Sequence, residues 1–143
     1  MTIQTNSEEE TRKLAAEFTT TLSGGEVVCL YGDLGAGKTV FASSVIDYFL
    51  PKQRVLSPTF IIVRHYYPQK SQIKEILHID LYRTNHESEI KGLGLPDMLK
   101  NKDKVYIIEW ADRLGGLLPK KRIDIHIETK DDKRFFEING WKR

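Results

Sequence analysis

Val27-Val28-Cys29-Leu30-Tyr31, running straight into Gly32-Asp33-Leu34-Gly35-Ala36-Gly37-Lys38-Thr39, decides the fold of this 143-residue chain. The first five residues are apolar throughout instead of alternating, which suits a strand buried on both faces of a sheet. The next eight match G-x-x-x-x-G-K-[ST] in full. The glycines let consecutive backbone N–H groups turn inward into an anion-binding nest, and a following helix adds its positive N-terminal end. Lys38 is a point charge suited to the β- and γ-phosphates of a nucleotide, and the Thr39 hydroxyl is suited to Mg²⁺. A helix is predicted from about Lys38 to Phe49, with Phe41, Val45 and Phe49 as its buried face and Pro51 as its stop. Strand, glycine loop and helix in that order are the context that separates this motif from a chance glycine-rich turn.

Outward from the loop, Ser7 followed by Glu10 forms a capping-box pattern. Leu14, Ala15, Phe18 and Leu22 then share one helical face, and Gly24-Gly25 closes the helix. On the other side, Phe60-Ile61-Ile62-Val63 and Ile76-Leu77-His78-Ile79 flank a polar turn at Tyr67-Pro68-Gln69-Lys70, a spacing that favours an antiparallel hairpin. Residues 85–102, with Gly92, Gly94 and Pro96, read as loops and short helices. Val105-Tyr106-Ile107-Ile108 is the second clear buried strand. Residues 122–127 and 134–138, around Asp131-Asp132, read as a second hairpin. The pattern predicts an α/β protein with a P-loop NTPase-like three-layer fold, its central sheet mixing parallel and antiparallel strands, and a single domain over residues 1–143.

Composition narrows the function classes. Lys+Arg number 22 against 20 Asp+Glu, and the resulting +2 is far from the basic excess of a dedicated nucleic-acid binder. The single cysteine, Cys29, excludes an internal disulfide framework and a multi-cysteine metal site, and within its strand it reads as a small core hydrophobe. No apolar run approaches the ~20 residues of a membrane helix, and the N-terminal stretch lacks the pattern of a secretory signal. A cytoplasmic location is expected.

A Walker-type ATPase also needs a carboxylate at the end of a buried strand, near the metal. Asp80, after Ile76-Leu77-His78-Ile79, and Glu109, after Val105-Tyr106-Ile107-Ile108, both stand at such ends. His78 is placed either to orient Asp80 or to pack. Ser57-Pro58-Thr59 offers hydroxyls where a switch segment would meet the γ-phosphate, or forms an ordinary turn. Two other matches fail on position. Leu22-Ser23-Gly24-Gly25-Glu26 resembles the LSGGQ signature of ABC ATPases but precedes the phosphate loop. Asn101-Lys102-Asp103-Lys104 resembles the guanine-reading N-K-x-D, with Lys104 where the Asp must stand. Lys120-Lys121-Arg122 and Trp141-Lys142-Arg143 are short basic patches, solvated ends or phosphate contacts. A small-molecule kinase would need an arginine-rich lid, and residues 85–102 contain no arginine.

Gly32–Thr39, Ser57-Pro58-Thr59-Phe60, His78-Ile79-Asp80-Leu81-Tyr82-Arg83, Gly92-Leu93-Gly94-Leu95 and Ile108-Glu109-Trp110-Ala111 occur in order across residues 5–138. Together they resemble the bacterial TsaE (YjeE) family, small P-loop ATPases needed to make threonylcarbamoyladenosine in tRNAs that read ANN codons. The resemblance implies ATP as substrate and Mg²⁺ as cofactor. Gly35, Ala36, Gly37, Lys38 and Thr39 would cradle the phosphates, with Asp33, Leu34 and Val40 beside them. Thr39 and Glu109 would hold Mg²⁺, directly or through water. Asp80 would position the attacking water or stand behind the metal, and Thr59 would sense the γ-phosphate. Thr11 matches a nucleotide-contacting position, and Trp110 is expected near the nucleotide or the partner surface, or else packed in the core. The implied partners are TsaD-type and TsaB-type proteins, with tRNA reached through their complex. ATP turnover would drive or reset that complex; the alternative is a scaffold in which ATP binding alone is functional.

Overall fold

Alternating faces on buried strands organise the whole molecule, described in a computed structural model for residues 1–33, 35, 37–50, 63–69, 71–82 and 99–143. In chain order its elements are β1 (Thr2–Thr5), α1 (Glu8–Thr19), β2 (Val27–Tyr31), α2 (Lys38–Phe49), β3 (Val63–Tyr66), β4 (Glu75–Asp80), β5 (Lys104–Glu109), a 3-10 segment (Ala111–Leu117), β6 (Ile123–Lys130) and β7 (Lys133–Asn139). Among the described residues, seven strands join one sheet in the order β1-β7-β6-β2-β5-β4-β3. β2 lies between β5 and β6, parallel to both, and β4 runs parallel to β5. The outer pairs β3–β4, β6–β7 and β1–β7 are antiparallel. The sheet is therefore mixed, as expected from the two hairpins flanking buried strands.

The continuous apolar run of β2 is explained by its position. Val28 and Leu30 face α1 and α2, with Phe18, Phe41, Val45 and Phe136. Val27 and Cys29 face the opposite layer, where Leu99, Ala111 and Leu114 cover the sheet. Helices, sheet and the short 3-10 layer make three layers. The same alternation places Ile76 and Ile107 on the helix side and Leu77, Ile79, Tyr106 and Ile108 on the other. By period two, His78, Asp80 and Glu109 thus fall on the helix side, the side of the phosphate loop.

α1 begins where the capping pattern predicts. Ser7 Oγ accepts from the Glu10 N–H at 3.1 Å, and the Glu10 carboxylate accepts from the Asn6 N–H at 3.0 Å. Phe18, fully buried, sits 5.5 Å from the Phe41 ring and 5.3 Å from Trp141, which ties both helices and the C-terminal tail together.

The loop from α1 to β2 passes close to the entry of β5. Gly24 has φ +119°, and a Cβ there would stand 2.6 Å from the Lys102 carbonyl oxygen. Gly24→Ala is expected to cost about 1–3 kcal/mol of stability, read as a fall in the urea midpoint at unchanged slope.

The structure adds to the sequence reading in two places. β1 carries a single apolar residue against the core, Ile3, and exists because it pairs with β7 from Thr2↔Glu137 to Thr5↔Arg134. The second hairpin runs longer than its apolar core, out to Lys130 and Lys133. Asp131 and Asp132, at φ 52° and 63°, close it as a two-residue turn of the kind hairpins favour. Pro51, Phe60 to Ile62 and residues 85–98 lie outside the described residues.

Candidate active site

Parallel strands send their carboxyl ends to one edge of the sheet, and there β2 ends in the glycine loop while β4 and β5 end in Asp80 and Glu109. Asp80 and Glu109 are direct register partners on neighbouring strands. The loop leads to a helix start unlike that of α1. The α1 N-terminus is closed by Ser7 and carries Glu8, Glu9 and Glu10 in its first turn. The α2 N-terminus is capped only by the backbone of Gly37, with no side-chain cap and no acid in its first turn. Its N–H groups and positive dipole end are left for an anion from outside.

A cavity of about 230 Å³ opens at this edge, lined by Gly35, Gly37, Lys38, Thr39, Val40, Asp80, Glu109 and Trp110, with Tyr82 and Arg134 at its sides. The Thr39 hydroxyl donates to Glu109 Oε1 at 3.3 Å, while Glu109 Oε2 accepts from His78 Nε2 at 2.6 Å. Asp80 Oδ1 accepts from the Tyr82 N–H at 2.9 Å. Lys38 Nζ donates to the Gly32 carbonyl and lies 3.7 Å from the centre of the Trp110 ring.

Burial sets the electrostatics. It lowers the pKa of Lys38 despite the opposing pull of Glu109 and Asp80. It raises the Asp80 carboxyl above the usual carboxylate range; the Tyr82 N–H opposes that rise and the negative charge of Glu109 adds to it. Both shifts have the same first cause, removal of a charged group from water, so each group gains from a charged or hydrogen-bonding partner brought into the cavity. Cys29 has no part in this chemistry: burial pushes its thiol up to about 12.

Trp110 occupies the left-handed region at φ 59°, ψ 42°. For a bulky residue that conformation is strained. It folds the chain directly after Glu109, bringing the indole over Lys38 and within 5.0 Å of the Tyr82 ring.

The expected site residues separate into three groups. Gly35, Gly37, Lys38, Thr39, Val40, Asp80, Glu109 and Trp110 come together around the cavity. Asp33 is exposed in the loop, and Thr11 is buried, its hydroxyl 2.7 Å from Thr5 Oγ1 and donating to the Ser7 carbonyl. Leu34, Ala36 and Thr59 lie outside the described residues.

Two neighbours, Tyr82 and Arg134, are not singled out for this place by sequence, and a third, His78, is placed there only to orient Asp80 or to pack. His78 bonds Glu109, not Asp80. Tyr82 borders the cavity from the turn after β4. Arg134, at the start of β7, lies so close to the loop that a Cβ on Gly37 would stand 2.7 Å from its Nε, an atom with no hydrogen-bond partner among the described residues. The signal for Arg134 was the Asp131-Asp132 turn, legible as a site neighbour only once β6 is known to run parallel to β2. The two basic patches meet elsewhere, on a groove of about 600 Å³ at the opposite edge, where Lys121 and Lys142 join Lys102 beside Gly24-Gly25.

A buried parallel strand, a glycine loop and an open helix start, with acids on two adjoining parallel strands, define an α/β protein of the P-loop NTPase-like fold. The chain belongs to the TsaE family: residues 5–136 match the family described as "Threonylcarbamoyl adenosine biosynthesis protein TsaE". A relative from Rickettsia bellii, named tRNA threonylcarbamoyladenosine biosynthesis protein TsaE, is 39% identical over 137 residues, covering 94% of this chain and 92% of its own. A protein of the same name from Haemophilus influenzae is 36% identical over 112 residues, covering 78% and 68%. The crystal structure of Bacillus subtilis YdiB superposes with a TM-score of 0.72 at 27% identity, covering 95% of this chain and 82% of that one. No helix among the described residues is long and apolar enough to cross a membrane.

Proposed function

We propose that this protein is a Mg²⁺-dependent ATPase serving the threonylcarbamoyladenosine modification of tRNAs that read ANN codons. The pathway is the one for which its relatives from Rickettsia bellii and Haemophilus influenzae are named. The chemistry rests on one observation: Lys38, Thr39, Asp80 and Glu109 surround a single cavity at the uncapped N-terminus of α2.

Thr39 and Glu109 fit a divalent cation. Their oxygens lie 3.3 Å apart, both hard donors, and a pair of protein oxygens suits Mg²⁺, which completes its shell with water and phosphate. Bound there, Mg²⁺ would neutralise charge on the β- and γ-phosphates. Lys38 would exchange the Gly32 carbonyl and the indole of Trp110 for phosphate oxygens, recovering its burial cost. Asp80 would orient a water for in-line attack on the γ-phosphorus: the new P–O bond forms, the bond to ADP breaks, and the water's proton passes to the carboxylate. The burial that raises the Asp80 pKa makes it a better acceptor for that proton. Thr59 would sense the γ-phosphate, and Asp33, Leu34 and Ala36 would complete the loop around the phosphates. Thr11, whose hydroxyl now bonds Thr5 and the Ser7 carbonyl, would be a nucleotide-contacting position on the strength of the family resemblance.

Turnover would drive or reset a complex with TsaD-type and TsaB-type partners in the cytoplasm, with tRNA reached through that complex. The site itself is tested by calorimetric titration of ATP in Mg²⁺ and then in EDTA. Wild-type affinity is expected to rise with Mg²⁺, and Glu109→Gln to lose about tenfold or more of that gain. An unaltered metal response in the variant would remove Glu109 from the metal site.

A further inference from the structure

We propose that His78 is the positioning residue that fixes the Glu109 carboxylate for a divalent cation, an inference that rests on Glu109 being the metal-holding acid. His78 and Glu109 project to the helix side of adjacent parallel strands, offset diagonally by two positions, since His78 is register partner to Ile107 and Asp80 to Glu109. Diagonal neighbours about 7–8 Å apart come within reach when both side chains are long. The result is a 2.6 Å hydrogen bond from His78 Nε2 to Glu109 Oε2, with the two side chains 0% and 3% exposed.

That bond divides the carboxylate. Oε2 is tied inward, and Oε1 is left facing the Thr39 hydroxyl at the cavity. The divided geometry matters because Asp80, directly across from Glu109, is also acidic and offers no attraction to hold it. Of the two acids, Asp80 accepts from the Tyr82 N–H, and the His78 hydrogen bond goes to Glu109.

The rest of the ring argues against a space-filling role. Its neighbours on that face include the aliphatic Ile76 and Ile107, the acid Asp80, and Arg64, its register partner on β3. His78 Nδ1 is buried with no hydrogen-bond partner among the described residues. Leaving such an atom unpaired costs about 1–3 kcal/mol, a cost an aliphatic residue at this position would avoid. What the histidine adds is one donor, Nε2–H, aimed at one oxygen. Partners of this kind, behind a metal-bound group, typically change metal affinity about 10–100-fold when removed.

The test is Mn²⁺ binding to the ADP-saturated protein, followed by the loss of the free-ion EPR signal, together with ADP affinity measured in EDTA. His78→Leu removes the donor. His78→Asn, whose amide sits at the Nδ1 position, also fails to reach Glu109 and serves if the leucine variant does not fold. His78→Gln places an amide N–H where Nε2 was. The expected result is Mn²⁺ binding about 10–100-fold weaker in the leucine and asparagine variants, recovery to within about threefold in the glutamine variant, and ADP affinity in EDTA unchanged in all of them. Equal losses of Mn²⁺ and metal-free ADP binding would mark a merely structural role and overturn the proposal, as would unchanged Mn²⁺ binding in the leucine and asparagine variants. Glu109→Gln is measured alongside: if it too leaves Mn²⁺ binding unchanged, the metal assignment of Glu109 fails. If it weakens binding while His78→Leu does not, the positioning role alone fails.

Discussion

Lys38→Ala is expected to weaken ATP binding by about 100-fold or more while leaving the fold intact. Charge-assisted hydrogen bonds to phosphate contribute roughly 1.5–3 kcal/mol each, and 1.4 kcal/mol is a factor of ten in affinity. Lys38 is 4% exposed, and its present partners are one backbone carbonyl and one indole face. Burial already works against its charge. The alanine variant therefore loses a cation that the folded protein holds at a cost, and its thermal midpoint should not fall with its affinity. Calorimetry with ATP checks the first half and a thermal melt the second. Unchanged affinity would refute the role given to this lysine.

Asp80→Asn should spare ATP affinity to within a few-fold and slow hydrolysis by about 10²-fold or more, the usual range for loss of a proton acceptor. Wild-type turnover would retire Asp80 as the group that handles the water's proton. Stability gives an independent check. Burial raises the Asp80 pKa in the folded chain above its unfolded value. A group shifted in that direction contributes stability while protonated, and the contribution is lost as pH rises through the folded pKa. At neutral pH the ionised carboxylate is therefore a liability, and Asp80→Asn should melt higher than wild type. The gap should close as pH falls below the ordinary carboxylate range, where both side chains are neutral. A gap that widens on acidification would contradict the direction of the shift.

Much of this site could be read from the chain because the signals were local. The loop motif is contiguous, the strand before it is uniformly apolar, and Asp80 and Glu109 each follow an apolar run whose period fixes the face they share. β1 was missed because Thr2-Ile3-Gln4-Thr5 carries one apolar residue, and only the pairing with β7 makes it a strand. His78 was legible as a residue near the acids but not as a partner of Glu109. Choosing between the acids needs the β4–β5 register, and register between parallel strands separated by a long connection leaves no trace in local sequence. Arg134 is a stronger case. Nearly a hundred residues separate it from Gly37, and the two meet because β6 is parallel to β2 and β7 folds back upon it. The strain at Trp110 is likewise invisible in sequence, since nothing in Ile108-Glu109-Trp110-Ala111 announces a left-handed aromatic residue.

The contact between Lys38 and the Trp110 indole connects geometry to the proposed function, because the group proposed to meet phosphate is held by the residue that folds the chain after the acid proposed to hold the metal. Binding of ATP would separate them, altering the surface around Tyr82 and Trp110 at the mouth of the cavity, where a partner can read the nucleotide state.

The most direct measurement is ATP turnover by the purified protein in Mg²⁺ and in EDTA, first alone and then with TsaD-type and TsaB-type proteins and tRNA. The expected result is a low rate alone, a marked rise in the full mixture, and loss of both in EDTA. A rate that stays flat when the partners are added, while the complex still assembles in ATP, would contradict a partner-driven ATPase and leave ATP binding as the functional event.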